Sequence, residues 1–189
     1  MRLAIALIII GVVIGYLAGG RLRGLLSVRI RWPLLAVVGL LLQEFHPPSS
    51  LEAMAFPLFM LSFALLTVFA GANIRVPGFP VLLAGLTLNA IVIGINGGMP
   101  IPERVLIAAG ESGAIPALRA GGSLYHLAGP QDRLLAFADS IGGRYPVHFV
   151  LSIGDLFLFA GMMVVLVWGM RSALPVSTEA MALEMKPDR

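Results

Sequence analysis

The chain contains no cysteine. This absence excludes disulfide bonds, thiolate metal ligands and cysteine nucleophiles, and it leaves the redox compartment unconstrained. Charged residues are also scarce, at 12% of 189 positions, whereas soluble domains carry about a quarter. Because 58% of the residues are hydrophobic, the composition excludes an ordinary soluble domain and indicates an integral membrane protein. The surplus of basic over acidic residues, 13 against 10, sits in short connections where it sets topology, so we expect no nucleic-acid partner.

Long apolar segments are abundant, and each predicts a helix. A bilayer core of about 30 Å requires roughly 20 apolar residues per crossing helix. We therefore predict an all-α, polytopic membrane helix bundle with about five transmembrane helices, the first of them uncleaved. A single domain is expected over 1–172, and the polar remainder, 173–189, is expected to be a disordered cytoplasmic tail. The five segments are 3–18, 32–45, 54–72, 79–95 and 147–170.

Arginine placement predicts the orientation of the bundle in a bacterial cytoplasmic membrane. Four arginines crowd the first connection, whereas the second has none, so the positive-inside rule places the first connection in the cytoplasm. Alternation then puts the N-terminus outside, the C-terminus inside and the long 97–146 loop outside. Within that loop, 104–109 and 131–138 are predicted to form short interfacial helices that act as a lid.

Asp155 is the leading candidate for a functional residue. An insertion scale assigns a cost of roughly 2.5 to 3.5 kcal/mol to a carboxylate at the centre of a membrane helix, so it is expected to face protein, water or a partner charge. His148, Ser152 and Asp155 occur at i, i+4 and i+7, which predicts one shared helical face. Gly154 and Gly161 of the same segment could instead permit close helix contact.

Asn89 and Asn96 are predicted to share one face of the fourth helix, about 10 Å apart along its axis. If the fourth and fifth helices are antiparallel neighbours, Asn89 lies level with Asp155 and Asn96 with His148. Two stacked polar layers are therefore expected. The Gly97-to-Pro102 stretch must end the fourth helix, because Pro100 keeps Met99 out of helical geometry.

Other polar residues leave alternatives open. Asp139 is either a helix cap or solvated charge, or a partner that shares a proton with Asp155. His126 could shuttle a proton or simply be hydrogen-bonded. Gln43 and Glu44 either join the polar layer or merely end the second helix. The histidine and aspartate residues have no diagnostic ligand spacing, so neither a metal nor another cofactor is expected.

Several of these motifs together resemble a family of bacterial multi-pass membrane proteins grouped as a domain of unknown function. The resemblance implies a polytopic membrane location and no assigned activity. It rests on Leu88-Asn89, Asn96-Gly97-Gly98-Met99-Pro100, His126, Asp139, Ser152-Ile153-Gly154-Asp155 with Gly161, and Gly39-Leu40-Leu41-Leu42-Gln43.

The last third of the chain also resembles signal peptidase II, the lipoprotein-processing aspartic peptidase. Asp139, Asp155 and Gly161 are similar in order and spacing to that family's catalytic aspartates and following small residue. The resemblance implies that Asp139 and Asp155 could be catalytic. The chain departs from that family because it has no Asn-x-x-Asp-Arg stretch around Asp139, and because Ser152 stands where the family has Asn.

Three functions follow as hypotheses. The first is a non-catalytic binding protein whose outward-facing pocket holds a small ligand, a membrane lipid or a partner membrane protein. The second is a membrane hydrolase with an Asp139–Asp155 dyad, and the third is proton or ion translocation through Asp155. The ligand-binding residues predicted under the first hypothesis are Asn89, Asn96, His126, His148, Ser152 and Asp155.

Overall fold

The computed structural model describes residues 2–45, 47–120, 124–144 and 148–172, and the predicted tail, 173–189, lies outside them. This part of the chain is mostly helical. Three short 3-10 helices, Leu22–Ser27, Ser49–Met54 and Ser112–Ala114, supplement the longer elements. The α-helices are α1 (Arg2–Leu17), α2 (Pro33–Glu44), α3 (Ala55–Ala72), α4 (Phe79–Asn96), α5 (Glu103–Ala109), α6 (Ile115–Ala120) and α7 (Ile153–Arg171).

Within the described ranges, three helical segments are long and apolar enough to cross a membrane: Ser50–Ala72, Phe79–Asn96 and Ile153–Arg171. The apolar helices α1 and α2 are shorter, with 16 and 12 residues. Large apolar side chains cover the outside of the helices; Leu34 of α2, for example, is 70% exposed. A surface of this kind is stable against lipid rather than water, so the protein is a membrane protein.

The helices pack in a chain of neighbours. Helix α2 packs on α3, α3 on α4, α4 on α7, and α7 on α1. Among the described residues, α2 and α7 do not pack substantially against each other. The core between α3 and α4 is rich in phenylalanine, and the rings of Phe59 and Phe63 meet edge to face at 5.3 Å. The order leaves a space bounded by α2, α3, α4 and α7.

Glycines bring α4 and α7 into backbone contact, which is the alternative considered for Gly154 and Gly161. A Cβ atom built on Gly85 would lie 2.6 Å from the carbonyl oxygen of Gly154. Two turns further along α7, a Cβ atom built on Gly161 would lie 2.7 Å from the backbone nitrogen of Leu82. These distances leave no room for a side chain. The two helices are therefore held closer together than larger residues would allow.

The last helix begins six residues later than the sequence predicts. Phe149–Leu151 forms strand β4, which pairs antiparallel with β3 (Ile141–Gly143), and α7 starts at Ile153. Ser152 is the N-cap residue, and its capping box with Asp155 fixes the helix start. The prediction that His148, Ser152 and Asp155 share one helical face was therefore wrong, because His148 precedes the strand.

The long loop contains strands, which an all-α fold does not include. Strand β1 (Met99–Ile101) directly follows α4 and pairs parallel with β2 (Tyr125–Leu127). The predicted short helix at 104–109 is confirmed as α5. The one predicted at 131–138 was wrong, since that segment forms turns and Leu134 has a φ of 56°, outside the right-handed helical region. Helix α6 was not predicted.

Candidate functional site

A cavity of about 710 Å³ lies between α2, α3, α4 and α7. Its walls extend along α4 from Phe79 to Ile93, a span of about 21 Å at 1.5 Å per residue. Residues from the segment between α4 and α7, including Met99 and Val150, line one end. Most of the lining is apolar, so the interior of the cavity resembles the hydrocarbon phase around the protein.

The polar lining residues gather at the end of the cavity that the loop covers. Two of them end α2, one lies two turns before the end of α4, and one lies in the first turn of α7. The loop itself contributes the other two. Among the described lining residues, none is lysine, arginine or histidine. The six polar residues are Gln43, Glu44, Asn89, Tyr125, Asp139 and Asp155.

A hydrogen-bond network joins α4 to the start of α7. The side-chain amide of Asn89 donates to Oδ1 of Asp155 at 2.9 Å, and Ser152 Oγ donates to Oδ1 of Asn89 at 2.9 Å. Oδ2 of Asp155 accepts from the backbone N–H of Ser152 at 2.9 Å. Asn89 and Ser152 are buried. Asn89 therefore lies level with Asp155, as predicted, and both Asp155 oxygens accept a hydrogen bond.

Local sequence explains why the network can form. The spacing Ser152-x-x-Asp155 places the serine hydroxyl on the backbone N–H of Asp155, at 3.0 Å, and the carboxylate on that of Ser152. Gly154 lies between them, and a Cβ atom there would overlap Oδ1 of Asn89. Because Gly154 has no side chain, the Asn89 amide has room to reach Asp155.

Asp139 is the second carboxyl group in the cavity wall. It is 7% exposed, and the described residues include no hydrogen-bond donor to its side chain. Burial, and secondarily the charge of Asp155, raise the pKa of Asp139 from 3.8 to about 7. The Asp139 carboxyl group is therefore protonated in a large fraction of molecules near neutral pH.

Tyr125 borders the same group of carboxyls from strand β2. Burial raises the pKa of its phenol to about 12, and the negative charges of Asp139, Asp155 and Glu44 add to this shift. The phenol therefore keeps its proton at any physiological pH. Within the cavity wall it is a hydrogen-bond donor close to acidic groups.

Asn96 and His148 do not form the predicted second polar layer. The Asn96 side chain is instead hydrogen-bonded to the backbone of the loop. It donates to the carbonyl oxygen of Arg133 at 3.0 Å and accepts from the backbone N–H of Arg133 at 2.8 Å. His148 is exposed, and its Nδ1 lies 3.5 Å from a carboxyl oxygen of Glu111. Neither residue lines the cavity.

His126 also lies away from the cavity lining. Its Nε2 is 3.0 Å from Oδ1 of Asp132. Oδ2 of Asp132 accepts a hydrogen bond from the backbone N–H of Gly129 at 2.7 Å. This pairing is the hydrogen-bonded alternative considered for His126. Across the described ranges, no group of three or more histidine, cysteine or acidic residues is arranged to hold a metal ion.

Sequence reasoning missed Tyr125 and left Gln43 and Glu44 undecided. Tyr125 reaches the cavity because β2 pairs with β1, where Tyr125 is opposite Met99 in the register. Neither three-residue strand has a periodicity that reveals this pairing. Gln43 and Glu44 end α2, and their position at the edge of an apolar segment was the available signal.

Comparison with known proteins identifies the family. No curated protein and no solved structure matches the chain. Residues 27–167 match a family of unknown function, DUF5317. This range includes every polar residue of the cavity and all of α2, α3 and α4. The chain therefore belongs to the DUF5317 family of unknown function.

Proposed function

We propose that this protein binds a lipid-like amphiphile without chemically changing it. The apolar chain of the ligand occupies the cavity between α2, α3, α4 and α7, and its polar head lies beside Asn89, Asp139 and Asp155. The observation that carries the proposal is the division of one cavity into a long apolar part and a polar end. Such a division is complementary to a molecule with one apolar and one polar end.

The packing of the helices supports entry from the membrane. Helices α2 and α7 both contribute lining residues, for example Leu40 and Leu158, yet the described residues show no substantial packing between these two helices. We propose that the space between these two helices faces lipid in the membrane. A bilayer component can therefore reach the cavity without crossing water.

A binding role also accords with the bonding of Asp155. Both of its oxygens hold local structure, one through Asn89 and the other through the N-cap Ser152. Asp139 lines the same cavity, so the hydrolase with an Asp139–Asp155 dyad stays a prediction. Because Asp155 organises the first turn of α7, we favour binding over hydrolysis.

The proposal includes a five-crossing topology in a bacterial cytoplasmic membrane, with the N-terminus outside and the C-terminus inside. Its support is the set of arginines in the short connections at one end of the bundle, Arg21, Arg23, Arg29, Arg31 and Arg75. The backbone N–H of Arg21 donates to the carbonyl of Met170 at 2.7 Å, and Arg31 exchanges hydrogen bonds with the Asn73 side chain. Arg75 lies in the same turn as Asn73. The positive-inside rule assigns this end to the cytoplasm, so the polar end of the cavity faces outside.

Cysteine labelling tests this topology, because the native chain has no cysteine to give a background. In intact cells, a membrane-impermeant maleimide is expected to label Ser112→Cys and Glu52→Cys. Arg23→Cys and Arg75→Cys are expected to react only after lysis. All four positions are exposed on the protein surface, so accessibility within the protein does not limit labelling. Labelling of Arg23→Cys in intact cells would reverse the assignment.

Photocrosslinking tests occupancy of the cavity. We expect a long-chain alkyl alcohol with a diazirine in its chain to crosslink preferentially to lining residues of α2 and α7 in the reconstituted protein. Met162→Trp, which places an indole in the cavity, is expected to reduce this crosslinking about tenfold, an effect of about 1.4 kcal/mol. Val164→Trp places the same ring on the exposed side of α7 and is the matched control. Equal crosslinking over the whole lipid-facing surface would refute the proposed function.

A further inference from the structure

We infer that the polar head of the ligand is a cation of the alkylammonium type, held between Asp139 and Asp155. This inference rests on the proposed function, since it assigns the chemistry of the head in the same cavity. It commits to an amphiphile with a protonated amine, in preference to an alcohol or a phosphate head.

The charge of the cavity wall is the first argument. The described lining residues include three carboxyl groups, those of Glu44, Asp139 and Asp155, and no basic side chain. Recognition of phosphate uses arginine, lysine or clustered backbone N–H groups. A phosphate head would instead meet like charges in a poorly hydrated site, which is unfavourable. An ammonium head would meet charges of opposite sign.

The bonding of Asp139 is the second and independent argument. Asp139 is 7% exposed as a whole residue, and its side chain lines the cavity. Other buried polar side chains here, such as Asn89 and Ser152, are joined by hydrogen bonds. Asp139 has no such side-chain bond from any described residue. Among the described residues, no fully enclosed side-chain oxygen or nitrogen lacks a hydrogen-bond partner, so the Asp139 oxygens are open to the cavity, where a ligand can supply the missing donor.

The available acceptors match an ammonium group. An alkylammonium has three N–H donors and no acceptor. Each Asp155 oxygen accepts one hydrogen bond in the network and keeps a second acceptor site. Asp139 contributes two further oxygens. The head can therefore be bonded without breaking the Asn89–Asp155 contact.

A set of three probes with identical diazirine-bearing alkyl chains tests the head. The chains end in a primary amine, an alcohol or a phosphate, and crosslinking is measured on the full-length protein in nanodiscs of zwitterionic lipid. We expect the amine to bind about tenfold more tightly than the alcohol and the phosphate to bind most weakly. Asp139→Asn is expected to remove the preference for amine over alcohol. Asp132→Asn, which removes the same charge outside the cavity lining, is expected to keep it.

The outcomes separate the two proposals. Equal binding of amine and alcohol, tightest binding of the phosphate, or an amine preference unchanged in Asp139→Asn would overturn the cationic head and leave amphiphile binding intact. Cavity crosslinking by none of the three probes would overturn amphiphile binding itself. Asp139→Asn preserves side-chain volume, and its binding of the alcohol probe verifies that the cavity is intact.

Discussion

Gly154→Ala is expected to disrupt the packing of α7 against α4 and to lower the stability of the protein by about 3 to 5 kcal/mol. The added methyl group would overlap Oδ1 of Asn89 and lie 3.0 Å from the carbonyl oxygen of Gly85. The Asn89 amide must then leave its position, so Asp155 and Ser152 lose a hydrogen-bond partner. Thermal unfolding in detergent and the yield of monodisperse protein measure this loss.

Two glycine substitutions serve as controls for Gly154→Ala. Gly94→Ala lies on α4, where the new methyl group would make only an ordinary contact of 3.5 Å with Met60. Gly71→Ala lies on α3 with no atom within 4 Å. Both replacements favour helix formation by roughly 1 kcal/mol relative to glycine, so neither is expected to destabilise the protein. A Gly154→Ala variant as stable as these two would show that α4 and α7 are not in backbone contact.

Stability is expected to fall as the pH rises from about 4 through 7, because of Asp139. Its pKa is about 7 in the folded protein, against 3.8 ordinarily. Between these two values the folded chain binds more protons than the unfolded chain, so stability decreases with increasing pH. Protonated Asp139 makes its full contribution to the free energy of unfolding below about pH 4, and this contribution is lost above pH 7. It amounts to about 4 kcal/mol, at 1.36 kcal/mol per pH unit of pKa difference. Thermal unfolding measured across this range reports the slope.

Asp139→Asn is expected to flatten this pH profile and to make the protein more stable than the wild type above pH 7, since the amide is never ionised. Asp132→Asn is the matched control. Asp132 is hydrogen-bonded to His126 and Gly129 and lies outside the cavity lining, so the decline that Asp139 causes is expected to persist in this variant. A wild-type protein whose stability does not change from pH 4 to 8 would contradict a buried Asp139.

The long helices were predictable because each depends on local composition. Segments 54–72 and 79–95 differ by one residue at most from α3 and α4. The polar Asn73 ends α3, and Gly78 and Gly97, both in left-handed conformations, flank α4. The start of α7 was not found in this way. Only Ser152 separates the apolar residues of β4 from the first residue of α7, and composition alone does not distinguish a strand from a helix in a short apolar run.

The contact between Asn89 and Asp155 was predictable because both residues lie in helices whose direction follows from alternation across the membrane. Gly85 and Gly154 then set how closely the helices approach. The predicted second layer failed because Asn96 and His148 lie at helix or strand ends, where the loop provides nearer partners. Asn96 binds the backbone of Arg133 instead.

The amino-acid sequence alone determined a helical membrane protein, the bounds of α2, α3 and α4 to within one residue, and the equal depth of Asn89 and Asp155, because composition and helical spacing act over short stretches of chain. Folding in three dimensions decided that Asp139 and Tyr125 join them, and that one cavity has an apolar body and an acidic end. Asp139 and Tyr125 come from separate segments of the loop, and Tyr125 lies in a strand that pairs with β1. These segments are brought together by long-range packing, which no local sequence pattern reveals.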